Sequence, residues 1–275
     1  MSIYAVMGSP VSHSLSPAIH RAFAAQFGQP QLQYEAIEVP AGGLAAALES
    51  FCARGGVGAN ITAPLKREAF GVCTILSPRA ERSGAVNTIS AMPDGGWQGD
   101  LTDGDGLIRA LTGTLGQDLR DRRTLVLGAG GAAHAIVPAL LDAGVGSLYL
   151  VNRNQANADA LADRIGEPSR VHTRRIEQLS EVGAFDLIVN TATESPVTAF
   201  GLKGELIASP RTLVVDLNYG ERAYALRAWA AVHGVQTFVD GLPMLIEQAA
   251  LSYALWNDGA MPDTTPVYAS FADKY

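Results

Sequence analysis

The chain of 275 residues is 48% hydrophobic and 17% charged, a balance that buries a large core and excludes a disordered chain. Its net charge of -7 excludes long-range attraction to nucleic acid or to an anionic membrane surface. Two cysteines, Cys52 and Cys73, exclude a disulfide framework and a metal set, and each reads as a small buried apolar residue.

Short β-rich runs alternate with helical runs almost throughout. Ile3–Met7 is the first expected strand. A helix is predicted from Ser16 to about Phe27, with Ser16 at its cap and Pro17 in its first turn. Gln33–Val39 reads as a strand, and Gly43–Arg54 as an Ala- and Leu-rich helix stopped by Gly55-Gly56. Val57–Ile61 is a third strand, followed by a short helix from about Pro64. Val86–Ala91 and Trp97–Asp100 form a strand pair across the turn cluster Pro93-Asp94-Gly95-Gly96. Asp103–Leu115 is then a helix, Arg123–Leu127 a strand, Ala132–Ala143 a helix, Ser147–Val151 a strand and Asn157–Ile165 a helix. Leu187–Asn190, Thr212–Asp216 and Gln236–Val239 are further strands, Ala223–His233 a helix, and Pro243–Trp256 a final long apolar helix. The basic groups Arg120, Arg122 and Arg123, and Arg174 with Arg175, read as solvated surface.

This alternation predicts parallel sheets, and the break near Leu101–Asp103 predicts two α/β domains. Open sheets of this kind bind ligands outside the carboxyl ends of their strands. The sequence therefore predicts a cleft between the two domains.

Gly128-Ala129-Gly130-Gly131-Ala132-Ala133 lies between the strand Thr124-Leu125-Val126-Leu127 and a helix. The pattern is G-x-G-x-x-[GA]. The first glycine makes the turn, the second lets backbone approach a pyrophosphate, and the small last residue lets helix and strand pack closely. The helix N-terminus then faces the phosphates. The following strand ends in Asn152-Arg153-Asn154. No carboxylate stands there to repel a 2′-phosphate, and Arg153 can pair with one, which favours NADP over NAD.

A glycine loop says nothing of the substrate, so the other polar residues must. Ser14 and Ser16 precede or open a helix, where hydroxyls and helix-end N–H groups suit a carboxylate. A plain helix cap is the competing role for Ser16, and His13 reads as a hydrogen-bonded surface histidine. Asn60 and Thr62 alternate at a strand end and share a face. Lys66 starts a helix, where the dipole disfavours a cation, so its ammonium is better explained by a site. Asn87 adds an amide. Asp103 adds a carboxylate at the expected domain boundary.

The ordered motifs His13-Ser14-Leu15-Ser16-Pro17, Asn60-Ile61-Thr62-Ala63-Pro64-Leu65-Lys66, Gly84-Ala85-Val86-Asn87-Thr88, Thr102-Asp103-Gly104-Asp105-Gly106, the glycine loop, Asn152-Arg153 and Asp240-Gly241-Leu242-Pro243-Met244-Leu245-Ile246-Glu247-Gln248-Ala249-Ala250 resemble the shikimate dehydrogenase family across nearly the whole chain. The resemblance implies an N-terminal substrate domain of residues 1–101, completed by 240–275, and a Rossmann-type NADP-binding domain of residues 102–239. It implies NADPH-dependent, reversible reduction of 3-dehydroshikimate to shikimate in aromatic amino-acid biosynthesis. Lys66 and Asp103 would form the catalytic pair. Ser14 and Ser16, joined by Tyr219, would hold the substrate carboxylate, and Asn60, Thr62, Asn87, Asp103 and Gln248 the ring hydroxyls. Gly128, Ala129, Gly130, Gly131, Ala132, Asn152, Arg153, Leu217 and Gly241 would contact NADP, with NAD bound more weakly.

Three departures from the family pattern stand out. Asn157 replaces a second basic residue after Asn152-Arg153, so one phosphate-facing charge is missing. Leu101 replaces an asparagine before Thr102-Asp103-Gly104, and a later strand end reads Asn190-Thr191-Ala192. They leave open a paralogue acting on quinate or another carboxylated cyclitol. A non-catalytic NADP-binding regulator is the alternative of another class. Residues 1–10 have no basic segment, and no run of about 18 apolar residues occurs, so neither a signal peptide nor a membrane span is expected. The expected setting is the cytoplasm, with a small-molecule substrate, no nucleic acid or membrane partner, no metal, and a monomeric or homodimeric state.

Overall fold

The computed structural model describes residues 2–203 and 207–272. The chain divides into two compact α/β units, Met1–Gly106 with Leu245–Phe271, and Leu107–Met244.

The first unit opens with β1 (Ile3–Gly8), α1 (Ser16–Gln26), β2 (Gln33–Glu38), α2 (Leu44–Ala53), β3 (Gly56–Ile61) and α3 (Lys66–Val72). It continues with β4 (Ile75–Leu76), α4 (Pro78–Ser83), β5 (Thr88–Ala91), β6 (Trp97–Asp100) and the start of α5 (Asp103–Ile108). Its strands are ordered β2-β1-β3-β5-β6-β4. β1 lies parallel to β2 and β3, whereas β5 runs antiparallel to β3 and β6. The sheet is thus mixed rather than wholly parallel, because the turn at Pro93–Gly96 is too short for a crossover. A β-carbon on Gly8 would meet Thr62 Cγ2 at 2.3 Å and the Ala63 carbonyl at 2.8 Å. Glycine there lets the carboxyl ends of β1 and β3 close together.

In the second unit, β7 (Thr124–Leu127), α6 (Gly131–Asp142), β8 (Leu148–Val151), α7 (Gln155–Ile165), β9 (Val171–Thr173) and α8 (Leu179–Val182) come first. β10 (Leu187–Asn190), α9 (Pro196–Phe200), β11 (Leu213–Asp216), α10 (Tyr224–Val232) and β12 (Thr237–Val239) follow. All its strand pairs are parallel, in the order β12-β11-β10-β7-β8-β9. That is the doubly wound Rossmann order, whose topological switch lies between β7 and β10. Leu125, Leu127, Val151, Phe185, Ile188 and Trp229 belong to its core.

The chain then returns to the first unit through α11 (Leu242–Trp256) and α12 (Thr265–Ala272). The Trp256 ring lies 4.9 Å from that of Tyr4, and its Nε1 donates to the Ile89 carbonyl (3.0 Å). Gly58 makes room, since a β-carbon there would meet Trp256 Nε1 at 2.6 Å.

Several expectations need correction. Helix α1 is not capped by Ser16: Leu15 occupies the cap position and no side chain caps the helix. The Ser16 N–H instead reaches the Ser14 hydroxyl (3.3 Å). The helix expected over Asp103–Leu115 changes at Arg109–Thr114 into a π-helical segment. Cys52 is exposed, because α2 turns it away from the buried Leu44, Leu48 and Phe51; Cys73 is half-buried, and burial pushes its thiol up to about 11. Pro243–Trp256 is followed by one more helix, α12. No helix among the described residues is long and apolar enough to cross a membrane.

Candidate active site

In the first unit, Lys66 Nζ donates to Asp103 Oδ2 at 2.6 Å. Both side chains are shielded, at 17% and 8% exposed. Each is positioned by its own supports. Lys66 is the first residue of α3, and its carbonyl accepts the Val86 N–H (2.9 Å). Glu68, two residues further into α3, accepts the Gly42 and Leu44 N–H groups (2.9 Å each) at the start of α2. Asp103 opens α5 just after β6. There Arg79 grips Asp100 with Nε (2.6 Å) and Nη2 (2.8 Å), reaches Asp105 as well, and Ser77 donates to Asp100 (2.6 Å). Burial acts to raise the Asp100 pKa, but the hydrogen bonds from Arg79 and Ser77 bring it below the usual carboxylate range. A partly buried ion pair of this geometry is costly to break, because the remaining charge is left without its partner.

Beside the pair lies a buried polar network. Asn87 Oδ1 accepts the Thr102 N–H (2.7 Å), while its Nδ2 donates to Thr102 Oγ1 (2.9 Å) and Gln248 Oε1 (3.2 Å). Gln248 Nε2 donates to the Leu245 carbonyl (2.8 Å). Asn60 Nδ2 donates to Ser252 Oγ (2.9 Å), and Asn60 Oδ1 accepts from the Tyr34 phenol (2.7 Å). Thr88 Oγ1 lies 2.8 Å from Ser252 Oγ. Burial pushes the Tyr34 phenol well above its ordinary range, so it stays a donor. His20 stacks on Tyr34 (4.4 Å, 12°), and burial pulls its imidazole down to about 3, so it is neutral at ordinary pH. A β-carbon on Gly106 would meet the backbone nitrogen of Gln248 at 2.7 Å. That glycine therefore admits α11, which brings Gln248 and Ser252 to the network.

The structure thus joins Lys66 to Asp103, and Asn87 to Gln248. Ser14 Oγ and Ser16 Oγ stand 3.2 Å apart near the end of β1, with Ser16 buried and Ser14 half-buried. The loop is held by the Val11 N–H donating to Glu38 Oε2 (2.9 Å). Thr62 follows β3, half-buried, and its N–H donates to the Met7 carbonyl (2.9 Å). Asn60 is buried, and both ends of its amide are taken by protein groups. Tyr219 belongs to the second unit, three residues past the end of β11, and it is half-buried.

In the second unit the glycine loop sits at the switch point. Gly128 has φ +107°, and a β-carbon there would meet Thr191 Oγ1 at 2.4 Å. At Gly130 a β-carbon would point into open space. Helix α6 starts next, with no side chain capping it, so its first N–H groups are not taken by a cap. A dinucleotide pyrophosphate fits such a cradle. Asn190 Nδ2 and the Asn218 N–H both donate to Asp216 Oδ1 (2.8 and 3.0 Å). Burial raises the Asp216 pKa. This knot fixes the turn carrying Leu217, against which Gly241 lies so closely that a β-carbon would meet the Leu217 carbonyl at 2.2 Å. At the end of β8, Asn152 donates to the Asn154 carbonyl (2.8 Å), Asn154 caps α7, and Arg153 pairs loosely with Glu194 (3.4 Å). Ala129 is buried, and Gly131 and Ala132 are half-buried at the start of α6.

Sequence reasoning missed Tyr34, Thr88, Ser252, Asn190 and Asp216. Polarity within apolar runs is the only local mark of Thr88, Ser252, Asn190 and Asp216, and Tyr34, between Gln33 and Glu35, lacks even that.

Residues 6–89 match the shikimate dehydrogenase substrate binding domain, residues 110–218 the shikimate/quinate 5-dehydrogenase family, and residues 241–270 the shikimate 5′-dehydrogenase C-terminal domain. The chain is 52% identical over 273 residues to a protein named shikimate dehydrogenase (NADP(+)) from Xanthomonas euvesicatoria pv. vesicatoria (strain 85-10), covering 98% of this chain and 95% of that one. A crystal structure of an Ael1 enzyme from Pseudomonas putida superposes with a TM-score of 0.87 at 37% identity, covering 98% of each chain. Shikimate 5-dehydrogenase from Thermus thermophilus, solved in complex with NADP(H) and shikimate, gives a TM-score of 0.85 at 35% identity over 100% of both chains. On these matches, and on the two-unit fold that carries its motifs, the chain belongs to the shikimate dehydrogenase family.

Proposed function

We propose that the chain is an NADP-dependent shikimate dehydrogenase that reversibly reduces 3-dehydroshikimate to shikimate, and that it works in the cytoplasm. The observation that carries this reading is the shielded 2.6 Å contact between Lys66 Nζ and Asp103 Oδ2. Reducing a ring carbonyl requires a proton at its oxygen as well as a hydride at its carbon, and so a donor held within hydrogen-bond reach. When bound, NADPH supplies the hydride. Lys66 offers the ammonium proton, and Asp103 fixes the direction of that ammonium. Ser14 and Ser16 hold the substrate carboxylate, with Tyr219 as a further hydroxyl. Thr62, Asn87, Asp103 and Gln248 meet the ring hydroxyls. Asn60 acts behind them, holding Ser252 and through it Thr88.

The second unit holds the dinucleotide. Gly128 to Ala132 and the first turn of α6 take the pyrophosphate, Asn152 and Arg153 the adenosine end, and Leu217 and Gly241 the nicotinamide end. Absorbance at the nicotinamide band, with shikimate and quinate each tried against NADP and NAD, tests the whole reading. Fastest turnover is expected with shikimate and NADP. Preference for quinate would move the chain to the quinate-type paralogue, and no oxidation of either substrate would make it a cofactor-binding regulator.

A further inference from the structure

The sequence pattern leaves one question about the adenosine end. Asn157, where the family carries a second basic residue, sits exposed in the first turn of α7 and offers no charge. A cavity of about 340 Å³ lies outside the carboxyl end of β8. Asn152, Arg153 and Gln155, which follow β8, line it together with Arg175 and Glu177, which follow β9. Arg175 reaches it because β9 runs parallel to β8, pairing Leu150 with Thr173, so the chain leaving β9 emerges beside the chain leaving β8.

The two arginines after β9 have different fates. Arg174 lies over the Tyr149 ring (5.8 Å) and donates to the Thr173 carbonyl (2.7 Å). Arg175 is exposed, and its guanidinium has no carboxylate partner among the described residues. Its backbone is fixed, since the Arg175 N–H donates to Gln178 Oε1 (2.9 Å) and its carbonyl accepts the Gln178 N–H (3.0 Å). Arg153, which lines the same cavity, has only its loose and exposed pair with Glu194 to give up. Two guanidinium groups therefore border the cavity against one lining carboxylate, Glu177. A planar guanidinium grips phosphate oxygens through paired N–H groups, and two converging on one dianion add both charge and geometry.

We propose that Arg175 is the second cation of the 2′-phosphate site, replacing from the end of β9 the charge that Asn157 does not supply. This rests on the NADP-dependent reading above and makes Arg175, not a residue of α7, the specificity-determining partner of Arg153. Arg175 is exposed, as the sequence suggests, and the pairing of β8 with β9 sets that exposed side chain at the cavity.

Titration calorimetry of the full chain tests this with NADP, NAD, adenosine 2′,5′-bisphosphate and AMP. In Arg175→Ala, NADP and the bisphosphate should bind roughly tenfold or more weakly, with NAD and AMP within about twofold of the parent. Arg175→Lys should recover part of the loss, since it restores charge without the fork. Thermal unfolding should match the parent, as the side chain is exposed. Equal effects on the phosphorylated and unphosphorylated ligands, or none, would overturn the assignment. Arg153→Ala run alongside separates the two levels. If it loses the preference for NADP while Arg175→Ala keeps it, Arg175 alone is wrongly assigned. If the parent itself binds NADP no better than NAD, both the assignment and the cofactor reading fall.

Discussion

The two units build their candidate sites from different materials. In the first, the site is made of side chains: Lys66 with Asp103, and Asn87 with Thr102 and Gln248, hold one another by hydrogen bonds. In the second, it is made largely of main chain: a glycine with φ +107°, an uncapped helix start, and a glycine pressed against the Leu217 carbonyl. A side-chain site depends on the identity of each residue and on its partners. A main-chain site depends on the absence of side chains at a few positions.

The sharpest way to separate them is Lys66→Ala. Turnover should fall by about 10² to 10⁴, the usual contribution of a positioned acid/base, with NADP affinity unchanged. Near-normal turnover would remove Lys66 from the chemistry. Gly128→Ala is the converse. It forces a β-carbon into an unfavourable backbone region and against Thr191, so NADP affinity should drop by the equivalent of about 1–3 kcal/mol while binding of shikimate alone is kept. Equal losses of both ligands by calorimetry would contradict a division of labour between units. Asn87→Ala tests closure of the network. It leaves the Thr102 N–H and Gln248 Oε1 without this partner and should cost about 1–3 kcal/mol in chemical denaturation. A cost near zero would mean the network is not tightly closed.

His20 sets a smaller, pH-dependent effect. Its ordinary value is 6.5 and burial holds the folded imidazole at about 3. Between these limits the unfolded chain binds the extra proton, so stability falls as pH drops, by up to about 1.4 kcal/mol per pH unit. His20→Gln should flatten that slope in unfolding experiments between neutral and mildly acidic pH; an unchanged slope would assign acid sensitivity elsewhere. Last, Arg54→Ala breaks an exposed pair with Glu35 and should shift stability by less than about 1 kcal/mol. A larger shift would show that surface charge matters more than the polar core.

The same contrast explains what could be read in advance. The glycine loop is a contiguous signal, so the strand before it, the helix after it and the backbone role of Gly128 were all legible. Lys66 was legible as a cation at an awkward helix start. Ser252 was not, because its partner Asn60 is 192 residues away and nothing local marks a serine in an apolar helix as part of a network. Short β4 and β9 carry too few residues for a periodic signal and exist through their neighbours β6 and β8. Arg175 reads correctly as exposed surface, but its place beside the end of β8 comes from lateral strand pairing, which a linear pattern does not encode. The π-helical segment at Arg109–Thr114 has no local cause visible in its residues.

The return of α11 to the first unit has a consequence for biosynthesis. During translation the segment up to Gly106 leaves the ribosome first, yet it lacks Gln248, Ser252, Tyr253 and Trp256 until the last stretch is made. The intervening unit draws the core cluster around Leu125, Ile188 and Trp229 from a single stretch of chain, so that cluster can close earlier. The sheet made earliest therefore cannot complete its polar network until the last helices have been synthesised.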